Sequence, residues 1–324
     1  MWSRVDRGIK EGVIMRLGLL GDLHLTNKSP ERRIDDYWQT LLGKVTQALE
    51  IFDEKKCDCV LQVGDFCDTP TVADRVKSEV IQLLTRFERY GNERILCVYG
   101  QHDITGHSKW TLPNSPLAVL QAARVVKILD DNPVIAGGED DIIHFYGASF
   151  GESVPEPYED SYNVLVTHRM VGDRPLWPGQ ELVGPREFLR KHPGYNLIVC
   201  GDYHFRFTET WNDRTIINPG AIVRKTIGKF DLEHRPAVVI FDTDTNELEI
   251  IELEFESPEK VFDLSRIVEK KDNTILADLV AKLKSDENKL SGWKHFLVKV
   301  FEIRKSNKRS KQIIDECLEQ VKNG

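Results

Sequence analysis

Apolar residues in the first hundred positions alternate between short continuous runs and helical spacing. Arg16-Leu17-Gly18-Leu19-Leu20 reads as a first strand, and Ile34, Trp38, Leu41, Leu42, Val45, Leu49 and Phe52 then recur as on one helix face. Residues 60–63 make a second strand. Val72, Val76, Val80, Leu83, Leu84 and Phe87 mark a second helix, and residues 95–99 a third strand. This β-α-β-α-β order predicts a parallel sheet with right-handed crossovers.

The second half reads differently. Strand-like runs occupy residues 142–145, 164–166, 197–200, 207–211 and 215–217, with Val134-Ile135 a further candidate despite Asn132-Pro133 before it. One helix, near 186–191, interrupts them. Residues 238–241 and 248–255 suggest a hairpin, with Ile251, Leu253 and Phe255 alternating with Glu252 and Glu254. The expected fold is α/β, with a second, mixed sheet packed on the first. After Ser257-Pro258 a helix (274–284), a strand (296–301) and a helix (311–321) predict a small α+β unit. The expected organisation is a main domain over 15–257, a C-terminal unit over 258–324, and residues 1–14 as a leader of no clear role. Met15 is the candidate natural start.

Polar chemistry is concentrated where strand-like runs stop. Five segments do this: Gly21-Asp22-Leu23-His24, Gly64-Asp65-Phe66-Cys67-Asp68, Gly100-Gln101-His102-Asp103, Thr167-His168-Arg169 and Gly201-Asp202-Tyr203-His204. Glycine at the head of four of them lets the chain turn sharply. Their side chains can then meet at one sheet edge, where open α/β folds place ligands. Carboxylate oxygens, imidazole nitrogens and an amide oxygen together form a donor set for metal ions.

Composition narrows the setting. With 40% apolar residues the chain can bury an ordinary core, and no run approaches the ~18 apolar residues of a membrane span. Cys57, Cys59, Cys67, Cys97, Cys200 and Cys317 match neither zinc-site nor secreted-disulfide spacing, so buried reduced thiols and a cytoplasmic location are expected. A net charge of −8 argues against a uniformly basic nucleic-acid surface. Residues 258–324, however, carry 15 Lys and Arg against 11 Asp and Glu. A basic tail on an acidic body suits nucleic-acid contact and equally a solvated helix face.

The five segments, in this order, resemble the motifs of the calcineurin-like metallophosphoesterases. The resemblance implies a four-layer αββα sandwich with two metal ions between the sheets. By position, Asp22, His24, Asp65 and His204 would hold one ion, and Asp65, Gln101, His168 and Asp202 the other, with Asp65 shared. His102 matches the general acid or electrostatic partner of the leaving group, and Asp68 the residue that orients it. A helix N-cap before Val72 is the rival role for Asp68. Gln101 stands where the family has Asn, and Asp202 where it has His. Both departures fall on the second ion, and the added carboxylate favours Mn²⁺ or Mg²⁺ over Zn²⁺.

Asn218-Pro219-Gly220-Ala221-Ile222-Val223-Arg224 resembles a stretch of the SbcD-type DNA repair nucleases, which Asp22-Leu23-His24-Leu25 also fits. That branch implies a DNA exonuclease, a capping unit and an SbcC-like coiled-coil ATPase partner; a homodimer is left open. Arg304, Lys305, Lys308, Arg309 and Lys311 are candidate phosphate contacts. Trp110, beside Lys109, and Trp177 are candidate base-stacking residues, with packing at the site's rim as the plainer alternative. Other readings are a phosphoprotein or cyclic-nucleotide phosphoesterase, and a non-catalytic DNA-binding subunit with a degraded second metal position.

Overall fold

The computed structural model describes residues 15–87, 95–137, 142–176 and 180–265. The first sheet is built from β1 (Arg16–Leu20), α1 (Tyr37–Glu54), β2 (Cys59–Gln62), α2 (Asp74–Arg86), β3 (Ile95–Cys97), α3 (Pro116–Ala122) and β4 (Lys127–Ile128). The first three strands are parallel, as the alternation of runs and helical spacing predicts, and α3 and β4, which that pattern does not mark, add a fourth in the same direction. Asp36 caps α1 by accepting from the Gln39 N–H at 3.2 Å. Ile34 therefore lies outside the helix and is exposed instead of packing as its spacing suggested.

The second sheet contains β5 (Val134–Gly137), β6 (Ile142–Ala148), β7 (Tyr162–His168), β8 (Leu197–Gly201), β9 (Phe207–Trp211) and β10 (Arg214–Asn218), with α4 (Pro185–Lys191) between β7 and β8. The order is β5-β6-β7-β8-β10-β9, with antiparallel strands only at its two edges. After α5 (Lys229–Glu233), β11 (Ala237–Asp242) and β12 (Leu248–Glu252) form the expected hairpin. The hairpin does not join the second sheet. β11 pairs antiparallel with β1, giving the order β12-β11-β1-β2-β3-β4. The cause is burial on both faces of β11: Val239 and Phe241 face the inter-sheet core while Val238 and Ile240 pack under the helices.

Three apolar layers hold this four-layer α/β sandwich together. Between the sheets lie Leu17, Leu19, Leu61, Val63, Leu96 and Val98 against Ile143, Phe145, Val164, Val166, Leu197 and Val199. Outside the first sheet, α1, α2 and α3 contribute Leu41, Val45, Leu49, Phe52, Val80, Leu84, Leu117 and Leu120. Outside the second, Phe188 and Leu189 of α4 cover Leu165, Ile198 and Ile216. Each such side chain contributes roughly 1.5–3 kcal/mol relative to exposure. The result is a stiff frame whose strand ends carry the polar segments.

The short helix α6 (Pro258–Val261) packs back on residues 32–34 through Ile34 N–H to Val261 O and Asp263 N–H to Arg32 O. The described residues form one compact unit, bounded at Ile267. The helix-strand-helix expected over 274–321, its basic residues, Trp177 and the leader 1–14 lie outside the described residues. No helix among the described residues is long and apolar enough to cross a membrane.

Candidate metal centre

All seven expected ligands arrive at one edge of the sandwich. Asp22 and His24 follow β1, Asp65 follows β2, Gln101 follows β3, His168 ends β7, and Asp202 and His204 follow β8. The turns that deliver them use left-handed backbone at three non-glycine ligands: His24 (φ 48°), Asp65 (φ 47°) and Asp202 (φ 74°). Such conformations are costly and persist where surrounding bonds fix them. Here the Asp65 carbonyl accepts from the Leu23 and His24 N–H groups at 3.2 and 2.8 Å. Gly100 permits the close approach of the third segment, since a Cβ there would overlap the Asp65 carboxylate.

Three residues outside the expected set complete the scaffold. Gln62, fully buried, donates to Gly64 O at 2.6 Å and Gly21 O at 3.3 Å and accepts from Gly64 N–H at 3.1 Å. Asp103 accepts from the N–H groups of Phe66, Cys67 and Gly100 at 3.1, 2.8 and 2.9 Å, tying the second segment to the third. Lys225 donates to the Asp68 carboxylate. A polar residue ending the apolar run Cys59-Val60-Leu61 was the available signal for Gln62; Lys225 had none beyond adjacency to Arg224.

The donor atoms crowd together. His24 Nε2 and His204 Nε2 are 3.2 Å apart, and Asp65 Oδ2 lies 3.6 Å from His24 Nε2 and 3.5 Å from His168 Nε2. His168 Nδ1 lies 3.7 Å from Asp22 Oδ1, and its Nε2 3.9 Å from Asp202 Oδ1. Three overlapping triads have ligand atoms within 4.8 Å of one another: Asp22/His24/His204, His24/Asp65/His102 and Asp22/Asp65/His168. Asp22 Oδ2, Asp65 Oδ2, Gln101 Oε1 and His168 Nε2 are buried with no hydrogen-bond partner among the described residues. Four unsatisfied ligand atoms at one point would each cost about 1–3 kcal/mol. Divalent cations are what this donor set fits.

The two departures from the family pattern touch each other. Gln101 Nε2 donates to Asp202 Oδ1 at 2.8 Å, which leaves Gln101 Oε1 buried and without a hydrogen-bond partner among the described residues. His168 Nδ1 donates to the Val63 carbonyl at 2.7 Å and presents its Nε2 face to Asp65. Fixing one ring nitrogen on a backbone carbonyl is how metal-binding histidines are commonly held.

Asp68 meets His102 through its backbone and not through its carboxylate. Its carboxylate accepts from the Lys225 ammonium and lies 3.3 Å from His24 Nδ1. The Asp68 backbone carbonyl, turned by the 65–68 segment, accepts from His102 Nδ1 at 2.8 Å instead. Nor does Asp68 cap α2, which Ala73 precedes.

Electrostatics separate the groups. Burial pulls His24 and His204 below the ordinary imidazole value, so both are neutral with lone pairs available. Burial pushes Asp22 up to about 6. Burial also opposes ionisation of Asp65, yet His168, His24 and His102 hold it well below the usual carboxylate range. For His168 burial favours the neutral ring, but Asp65, Asp22 and Asp202 outweigh it and push the group up to about 10. The metal-free protein therefore carries imidazolium at this position at pH 7, whereas a cation needs the neutral ring. Metal binding at pH 7–8 is expected to release about one proton from His168, and affinity to rise with pH toward 10. Calorimetry of Mn²⁺ binding in buffers of different ionisation enthalpy measures that proton; enthalpies independent of buffer would contradict it.

The family model described as calcineurin-like phosphoesterase matches residues 15–206. No curated protein matches the chain. Among solved structures, it is similar to an archaeal phosphodiesterase at 18% identity and TM-score 0.38, covering 74% of this chain and 100% of that one. It is also similar to a dimetal phosphatase from Danio rerio at 12% identity and TM-score 0.44, covering 74% and 99% of the two chains. A phosphoesterase from E. coli matches at 14% identity and TM-score 0.34, covering 74% and 100%.

Proposed function

The chain belongs to the calcineurin-like phosphoesterase family, and from that premise we propose that it is a metal-dependent phosphodiesterase that hydrolyses DNA, an SbcD-like exonuclease of repair or recombination. Asp22, His24, Asp65 and His204 hold one divalent cation in this reading, and Asp65, Gln101, His168 and Asp202 the other. Bound cations supply Lewis acidity toward phosphate oxygens and make water acidic enough to attack at neutral pH. Asp68, held by Lys225, fixes the ring of His24 through its Nδ1 side. Asp202 holds the Gln101 amide by its nitrogen, which leaves the oxygen for the cation. His102, tethered at Nδ1, turns its Nε2 toward the reaction and delivers a proton to the departing oxygen.

The row of unsatisfied buried ligand atoms carries the phosphoester reading. Asp202 adds a third carboxylate beside Asp22 and Asp65, which favours hard, oxygen-seeking cations. Metal-stripped protein reconstituted ion by ion is expected to turn over fastest with Mn²⁺, then Mg²⁺; highest turnover with Zn²⁺ would contradict this assignment.

The DNA reading rests on Trp110. It is 82% exposed, not packed at a rim. It lies on the loop that continues from His102, with Lys109 Nζ 5.6 Å from its ring centroid. An exposed aromatic with a cation beside it suits a base and its phosphate. Trp110→Ala is expected to raise KM for single-stranded DNA by roughly tenfold or more, with bis-p-nitrophenyl phosphate unaffected. Labelled single- and double-stranded DNA with manganese, assayed beside p-nitrophenyl phosphate and its bis ester, tests the whole proposal. Turnover of the monoester alone would replace it with a phosphatase. The five cysteines among the described residues are all buried, which suits the proposed cytoplasmic setting. An SbcC-like coiled-coil ATPase is the partner this reading calls for.

A further inference from the structure

Outside α1, away from the metal ligands, lies a cleft of about 1260 Å³ into which Arg33, Lys44 and Arg224 project. All three are more than nine-tenths buried, at 8%, 6% and 3% exposure. Arg33 has a carboxylate partner, with Nε and Nη2 on Asp35 at 2.7 and 2.6 Å. Among the described residues the other two have no bonded carboxylate; Glu254 acts on Lys44, and Asp231, Glu259 and Asp35 on Arg224, only through space. Lys44 Nζ makes no hydrogen bond. Arg224 donates to the Glu256 backbone carbonyl.

Phe255 lies beside both cations, with the Arg224 guanidinium 5.0 Å and Lys44 Nζ 5.8 Å from its ring centroid. A ring face attracts cations but does not satisfy the three donors of an ammonium. Burial first, then Arg224, pulls Lys44 down to about 8, and Glu254 favours its charged form without bonding to it. Lys44 also sits among the buried Leu41, Val45 and Ala48 of α1, on a face that apolar side chains otherwise fill. A buried cation that no carboxylate bonds is costly to a fold. It is compensated here if an anion enters from solvent.

We infer that this cleft binds a phosphoryl anion between Lys44 and Arg224, as a site separate from the metal centre. Two buried cations that no carboxylate among the described residues bonds match a phosphate monoester, which carries about −1.5 to −2 charges near neutral pH and offers three acceptor oxygens. The choice of phosphoryl over carboxylate rests on the phosphoesterase reading, since phosphoesters and their products surround such an enzyme. The site is also linked to the reaction by one short segment. Ile222 N–H donates to Asp22 O at 3.2 Å and Lys225 reaches Asp68, while Val223 and Arg224 between them line the cleft.

The test uses full-length protein stripped of metal and kept in chelator, so that no cation at the metal centre recruits the probe. Inorganic phosphate, dAMP and a short oligothymidylate are titrated separately by calorimetry. Saturable binding is expected, weakened roughly tenfold or more in Lys44→Met and retained in Lys44→Arg, with thermal midpoints confirming that both variants fold. Phosphate binding as tightly as the oligonucleotide assigns the site to a free anion; a much tighter oligonucleotide assigns it to a strand's backbone. Absence of saturable binding by the wild type, or equal affinity in Lys44→Met, would overturn the inference. Failure of DNA cleavage leaves this measurement standing, because it involves neither metal nor turnover.

Discussion

Asp65→Asn is expected to lower kcat/KM on DNA by roughly 10³–10⁴-fold and to reduce bound manganese at both positions. Asp65 Oδ1 accepts from the His102 N–H at 3.0 Å, while Oδ2 faces His24, His168 and His102 at 3.6, 3.5 and 3.9 Å. Asparagine keeps the shape and one oxygen but removes the charge and places an NH₂ or a neutral oxygen among the imidazoles. The left-handed backbone at 65 suits asparagine as well as aspartate, so the frame survives and the loss is chemical. His168 loses the strongest of the charges that hold it protonated. The proton released on manganese binding should shrink with it. Metal content is read by calorimetry or by the Mn²⁺ electron-spin-resonance signal, and activity on the same samples. A variant that retains two ions and activity within about tenfold of wild type would remove Asp65 from the shared position.

Much of this centre was legible because its devices are local. A glycine, a turn and a donor side chain at the end of an apolar run are encoded within four or five residues, and all seven expected ligands converge. What was not legible depends on approach between distant segments. The β11–β12 hairpin reads as a hairpin from its alternation, but its pairing with β1 is a contact across 222 residues, Gly18 to Ile240, and either sheet would accept its pattern. Asp68 was correctly placed near His102, yet which of its atoms faces the ring depends on Lys225, which is 157 residues away. Gln101 and Asp202 read as two separate losses from the second position. The hydrogen bond between them makes them one paired replacement, an arrangement invisible until the third segment and the fifth are side by side.

His102→Ala is expected to cost roughly 10²–10³-fold in kcat on DNA and less than about tenfold on bis-p-nitrophenyl phosphate. The contrast follows from the leaving group. A deoxyribose alkoxide is strongly basic and departs with a proton, whereas p-nitrophenolate departs without one. The geometry gives His102 the means to supply it. Its Nδ1 is occupied by the Asp68 carbonyl, so the ring cannot turn away, and Nε2 is left toward Asp65. Its side chain is 42% exposed where His24 and His168 are buried, which leaves room for the departing group. The ring also belongs to a possible ligand triad with His24 and Asp65, and the two roles separate cleanly. A ligand's loss would lower metal content and depress both substrates together. A proton donor's loss leaves metal content intact and scales with leaving-group basicity, so a series of aryl esters should show a steeper dependence in the variant. Equal losses on DNA and on the bis ester would end the case for His102 as the acid.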